Sequence, residues 1–190
     1  PEKATELNAL GVRVVQLDVT DKASVAAMAE SLGETPIDLL INNAGIGGHM
    51  GESFAETDFD QIGWTFDVNS IGPMRVTQAL LPNVMASNAK TVVHISSIMG
   101  SIANNSGGYY GYRASKTALN MLNSSLALEL KEEGVTCVVL HPGWVKTDLG
   151  GENAAITTDV SVAGMLKVIA GLGIEDSGHF YDYQGNELPW

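Results

Sequence analysis

IDLLINNAGIGG, residues 37–48, is the stretch on which the fold turns. Its first half is an unbroken apolar run of strand length, the pattern of a strand covered on both faces. Its second half becomes small, polar and glycine-rich, with a further glycine at 51, so the strand ends there in a loop. The same grammar recurs outward from it. VRVVQL (12–17), KTVVHIS (90–96), VTCVVL (135–140) and GHFYDY (178–183) read as further strands. Helical stretches separate them. One is capped by Thr20 and runs to Leu32, with Gly33 at its end. A second opens at Thr57 or Asp58 and resumes through MRVTQALLPNVMAS; a third runs from about Tyr110 to Glu133, and a fourth lies near 159–172. Apolar strands alternating with helices predict an α/β fold with a parallel sheet covered on both faces.

The totals fit one domain with a sizeable core: 190 residues, 45% hydrophobic and 17% charged. A formal charge of −12 argues against nucleic acid or an anionic membrane surface as partner. No apolar run approaches bilayer length, and PEKATELNAL is no secretory signal. The single cysteine, Cys137, lies in an apolar run and reads as a packing residue in a reducing cytoplasm. His49, His94, His141 and His179 lack metal-ligand spacing, so no metal site is expected.

In open parallel sheets ligands bind beyond the carboxyl ends of the strands. The loops there read DVTD, NNAGIGG, SSIMGS and HPGWVKT. In NNAG, Ala44 and Gly45 let backbone approach a ligand closely, and the asparagine amides can fix the neighbouring strand end. Asn69 lies in a helical pattern beside Gly72-Pro73. Proline cannot continue the hydrogen bonding there, which leaves either a kink that holds a water or a break between two helices. Ser97 follows a strand, where its hydroxyl can bond a substrate oxygen; without a G-x-S-x-G elbow it does not read as a hydrolase nucleophile.

YYGYRASK (109–116) places Tyr109 four residues before Arg113 and Tyr112 four before Lys116, so either pair can share a helix face. A phenol ionises near pH ~10 and a neighbouring ammonium favours the phenolate. Arginine keeps its proton, whereas lysine is a compact charge that also bonds hydroxyls, so Tyr112 with Lys116 is the better couple.

NNAG (42–45), Asn69, Ser97, Tyr112-x-x-x-Lys116 and PGWVKT (142–147) stand in the order of the short-chain dehydrogenase/reductase family, which the whole chain resembles. VNSIGPMRVTQALLP, SSIMGSI, HPGWVKTDLGG and ELPW resemble the branch of C-factor-like proteins and sniffer-type carbonyl reductases. The resemblance implies a Rossmann-type, three-layer doubly wound sheet over 1–190. It also implies hydride transfer between NADP(H) or NAD(H) and a carbonyl or alcohol, with NADP(H) the better match. It makes Tyr112 the general acid, Lys116 the group that lowers its pKa and contacts the nicotinamide ribose, Ser97 the partner of the substrate oxygen, and Asn69 the holder of a relay water. Asp18 and Val19 match the adenine contacts; Asn43, Ala44 and Gly45 line the cofactor; Pro142, Val145 and Thr147 flank its carboxamide. Met99, Tyr109 and Trp144 are expected to wall the substrate. The competing reading is a catalytically silent interaction or signalling form.

Two features stand apart. The family begins with a strand, a TGxxxGxG turn, a helix and a second strand that have no counterpart here. Either the sequence is N-terminally incomplete, or the sheet closes the gap by pairing 12–17 with 37–42. Segments 74–86 and 114–130 are also apolar nearly all round, which implies a homodimer through them or helices sandwiched within one domain.

Overall fold

The structure is a computed structural model that describes residues 4–48 and 53–190; His49 and Gly51, noted above, lie outside them. Its elements run α1 (Thr5–Ala9), α2 (Lys22–Leu32), β1 (Leu39–Asn42), α3 (Phe59–Phe66), α4 (Gly72–Met85), β2 (Thr91–Ile95), α5 (Tyr110–Leu130), β3 (Thr136–His141), α6 (Thr158–Ala170) and β4 (Phe180–Asp182). The sheet is parallel throughout, in the order β1-β2-β3-β4.

Strand alternation divides the core. Leu40, Val92 and Cys137 meet α2, α4 and α5 through Val25, Met28, Val76, Leu80, Val84, Ala127 and Leu130. Val93, Val138 and Leu140 meet α6 through Met165, Val168 and Ile169 on the other face. This gives the three layers, the Rossmann-like short-chain dehydrogenase fold expected. All three crossovers step the same way across the sheet, yet α6 lies on the opposite face from α5. The last crossover therefore has the opposite hand to the β2-to-β3 one.

Two local expectations are corrected. Asp21, not Thr20, caps α2, accepting from Ala23 N at 3.0 Å and Ser24 N at 3.2 Å. Thr20 is taken instead by Asp18, whose Oδ1 accepts its N–H at 2.9 Å and its hydroxyl at 2.7 Å. Residues 12–17 form no strand, and the gap-closing pairing with 37–42 does not occur. Val15 still packs on the core, but a valine-rich run becomes a strand only when a neighbour completes its ladder, and none does among the described residues. The consequence reaches β1, whose central Ile41 is 41% exposed although it sits mid-strand.

Between α3 and α4 the helical path does not break. Asp67–Ile71 forms one wide π-turn carrying Asn69, closed by Gly72 N–H donating to Asp67 O, and Pro73, which has no N–H to continue that pattern, stands in the first turn of α4. Gly72 is required by close approach: a Cβ there would lie 2.7 Å from Val19 Cγ2. The outer apolar residues of α4, Leu81 and Met85, are largely absorbed by the protein's own core. Those of α5 are not: Met121 is 66% and Leu128 77% exposed. Among the described residues no helix is long and apolar enough to cross a membrane, and no cluster of three metal-ligating side chains occurs.

Candidate active site

The loop after β1, the π-turn, the end of β2 and the first turns of α5 meet at the carboxyl edge of the sheet. Asn69, fully buried, joins three of them. Its Oδ1 accepts from Ile46 N at 2.8 Å, and its Nδ2 donates to Ile46 O at 2.8 Å and Ser115 Oγ at 3.0 Å. Both N–H donors and one acceptor site of the amide are engaged with protein, so the side chain braces the NNAG loop against α5. Ser115 in turn bonds Tyr112 O at 2.9 Å, and Ser70 bonds Ser115 O at 2.7 Å.

Lys116 is 4% exposed and donates to Ile95 O at 2.9 Å. Burial of the ammonium lowers its pKa to about 8. An ammonium carries three donors, and with one bond to the described residues two remain for hydroxyls of a ligand. Above it the backbone of Gly45 comes close enough that a Cβ would touch Lys116 Nζ and Asn69 Oδ1 at 3.4 Å. Asn43, Ala44 and Gly45 are exposed. A buried ammonium with spare donors under a small-residue rim fits the ribose of a nicotinamide nucleotide.

Tyr112 lies one turn before Lys116 and is 9% exposed; the ammonium is 5.9 Å from its ring centroid. Burial raises the phenol's pKa, and a hydrogen bond with the Ser97 hydroxyl opposes the rise. The lowering by Lys116 implied by the family resemblance is not among the causes: the ammonium is engaged with Ile95 O and its own charge is disfavoured. Ser97 is 7% exposed, and its Oγ also accepts from Met99 N at 3.1 Å.

The other expected residues are spread around this group. Arg113 leaves Tyr109's phenol alone and clamps the loop before α5, donating to Gly107 O at 3.1 Å and Ser106 Oγ at 2.7 Å. Tyr109 is held at φ 51° and lines a small pocket with Asp58, Ile62 and Tyr110. Met99 lines a groove of about 520 Å³ on the outer side of α5, with Ile102, Tyr110 and Met121. Pro142 O accepts from Ser161 Oγ at 2.6 Å, and Val145 bridges Ile156. Thr147 Oγ1 accepts from Gly150 N at 3.2 Å, and Trp144, 56% exposed, donates its indole N–H to Gly150 O at 2.8 Å. None of these, nor Asp18 and Val19 at the α2 end, shares a hydrogen bond with Tyr112 or Lys116 among the described residues.

Two supporting residues, Asn120 and Gly100, were not singled out from sequence. Asn120 accepts from Ser96 Oγ and donates to Gly100 O at 3.3 Å. Gly100 lies so close to α5 that a Cβ would stand 2.9 Å from the Lys116 backbone. Their signals were an asparagine on an apolar helix face and a glycine just after a strand. His94, fully buried on β2, meets Asn42 Nδ2 through Nδ1 at 3.2 Å, and burial with the nearby Lys116 charge lowers its pKa to about 3. It therefore adds no second charge to the site.

Residues 2–157 match the short chain dehydrogenase family. The chain is 47% identical over 165 residues to C-signal of Myxococcus xanthus, a match spanning 86% of this chain and 99% of that protein. Among solved structures it is similar to an NADPH-bound carbonyl reductase from chicken fatty liver, at TM-score 0.92 and 37% identity, covering all of this chain and 84% of the other. The carbonyl reductase Sniffer of D. melanogaster gives TM-score 0.94 and 30% identity, with 100% and 84% covered.

Proposed function

The chain belongs to the short-chain dehydrogenase family, and from that premise we propose that it reduces a carbonyl compound with a reduced nicotinamide, NADPH before NADH. One observation carries the reading: a buried phenol whose pKa the Ser97 hydroxyl pulls down against burial, one helical turn from a buried ammonium.

Each residue then has a task. Ser97 holds the substrate oxygen, and Tyr112, kept protonated by burial, gives that oxygen its proton as the carbonyl carbon accepts a hydride. The C=O π bond becomes one C–H and one O–H bond, and Tyr112 is left as phenolate. The Ser97 hydroxyl, which opposes the rise in the phenol's pKa, stabilises that phenolate, and Lys116 bonds the nicotinamide ribose. Bound NADPH supplies the hydride. Asn69 acts by holding Ile46 and Ser115, fixing the loop that carries Asn43, Ala44 and Gly45 along the cofactor. Pro142, Val145 and Thr147 flank the carboxamide end, Asp18 and Val19 the adenine end, and Met99, Tyr109 and Trp144 the substrate. The carbonyl reductase similar to this chain is NADPH-bound, which supports that cofactor. Two copies associate through the exposed side of α5, in a cytoplasm where Cys137 stays a thiol.

A second reading, a catalytically silent signalling form, is favoured by the match to C-signal over 99% of that protein's length. Titrating NADPH and NADH into the chain, followed by nicotinamide fluorescence, separates the two. Micromolar NADPH binding, about −8 kcal/mol, is expected for the reductase. Absence of binding would overturn it in favour of the silent form.

A further inference from the structure

Beyond β4 the chain folds back on itself. Asp182 organises the turn, its Oδ1 accepting from Gln184 N at 2.8 Å and Asn186 N at 2.9 Å, its Oδ2 from Asn186 Nδ2 at 2.9 Å. Leu188 N then donates to Phe180 O at 2.7 Å. This lays the Trp190 ring on Phe180, with centroids 5.6 Å apart and planes 24° from parallel. Phe180 is 1% exposed, so the indole rests on a fixed base.

From that base Trp190 O accepts from Ala103 N at 3.0 Å. Ala103 belongs to the segment 97–104 that begins with Ser97. The middle of this segment is gripped by α5, where Thr117 Oγ1 at 2.9 Å and Asn120 Nδ2 at 3.3 Å both donate to Gly100 O. Its far half is tied by Ser101 Oγ, which accepts from Asn104 N at 3.2 Å, a bond local to the segment. Among the described residues, the Trp190 bond is the backbone bond that reaches this half from elsewhere in the chain. The same fold-back abuts the loop after β3. Asp182 stands in register with His141, and a Cβ on Gly143 would lie 3.0 Å from the Tyr183 ring.

We propose that Trp190 is a positioning residue: it clasps segment 97–104 to the β4 edge and so fixes where Ser97 presents a carbonyl oxygen. The inference rests on the reductase reading above. Residues 101–104, the half the clasp holds, share no hydrogen bond with Lys116 or the 43–45 loop among the described residues. Loss of the clasp therefore weakens capture of the carbonyl and spares the cofactor.

The test compares the whole chain with Trp190→Ala and Trp190→Phe, by amide hydrogen exchange and by steady-state kinetics with NADPH and a series of aldehydes. In Trp190→Ala, amides of 97–104 exchange at least ~10-fold faster while those of 91–95 keep their protection. The carbonyl KM rises on the order of tenfold with the NADPH KM unchanged. Trp190→Phe, which keeps a ring on Phe180, restores most of both. Unchanged exchange in 97–104 overturns the clasp, as does a freed segment with an unchanged carbonyl KM. Equal losses for NADPH and carbonyl with faster exchange throughout β2 also overturn it, showing a general loss of stability. A parent chain that binds NADPH but reduces no aldehyde would refute the reductase reading and leave exchange to decide the clasp.

Discussion

Replacing Lys116 by methionine should stabilise the fold at neutral pH, and the gain should fade as pH rises. The ammonium is 4% exposed with Ile95 O as its acceptor, and burial brings its pKa from 10.5 to about 8. Below pH ~8 native and unfolded chains both carry the proton, and the native state bears the whole cost of burying it. Between 8 and 10.5 the native state sheds the proton first. The unfolded state then binds more protons, so stability rises with pH. At about 1.4 kcal/mol per pH unit, the window from about 8 to 10.5 amounts to roughly 3 kcal/mol. Methionine fills the same volume without a charge. It also leaves Ile95 O without its bond, a cost that does not vary with pH. Cys137, raised by burial to about 12, pulls stability the other way above pH ~9 but cancels between parent and variant. Urea unfolding of both proteins at pH 7, 8, 9 and 10 reads the difference directly. The advantage of Lys116→Met over the parent should shrink by roughly 2–3 kcal/mol between pH 7 and pH 10. A pH-independent difference, or one that grows with pH, would refute the reasoning that Lys116 is a strained buried cation.

Two further substitutions probe the supports, and a third serves as their contrast. Asn69→Ala leaves Ile46 N–H and C=O without their partner in a partly buried place, an expected loss of about 2 kcal/mol and about 5 °C in thermal midpoint. NADPH affinity should fall with it, because the 43–45 loop loses its brace; titration of the folded variant checks this. Gly100→Ala forces a methyl to 2.9 Å from the Lys116 backbone and should cost about 1–3 kcal/mol. Gly63→Ala, in α3 with open space in front of it, should instead stabilise by about 0.5–1 kcal/mol. Paired thermal melts that rank the two alike would contradict the packing described.

The parts of the fold legible in sequence were those encoded by a single local rule. Continuous apolar runs marked 37–42, 90–96 and 135–140, and all three lie in the sheet, the last two covered on both faces and the first leaving Ile41 exposed. The run 12–17 obeys the same rule and fails, since strand formation depends on a neighbour that local composition does not report. At the start of α2 two adjacent residues can each accept from the first turn, and a one-residue choice between Thr20 and Asp21 is decided by Asp18 capturing the threonine. The site was legible where spacing fixes geometry: Tyr112 and Lys116 share a helix face, so they meet. What spacing left out was depth. Only packing shows that both are buried, that the phenol is pushed up, and that Asn69 spends its amide on Ile46 and Ser115. Arg113, equally well spaced from Tyr109, is diverted by carbonyl and hydroxyl oxygens closer to hand in 106–107.

The most direct measurement is consumption of NADPH with an aldehyde, comparing the parent chain with Tyr112→Phe, alongside NADPH titration of both. Phenylalanine keeps the ring and removes the proton. The account predicts turnover by the parent, a fall of at least ~100-fold in the variant, and little change in NADPH affinity. Equal turnover by the two proteins, or none by a parent that binds NADPH, would contradict it.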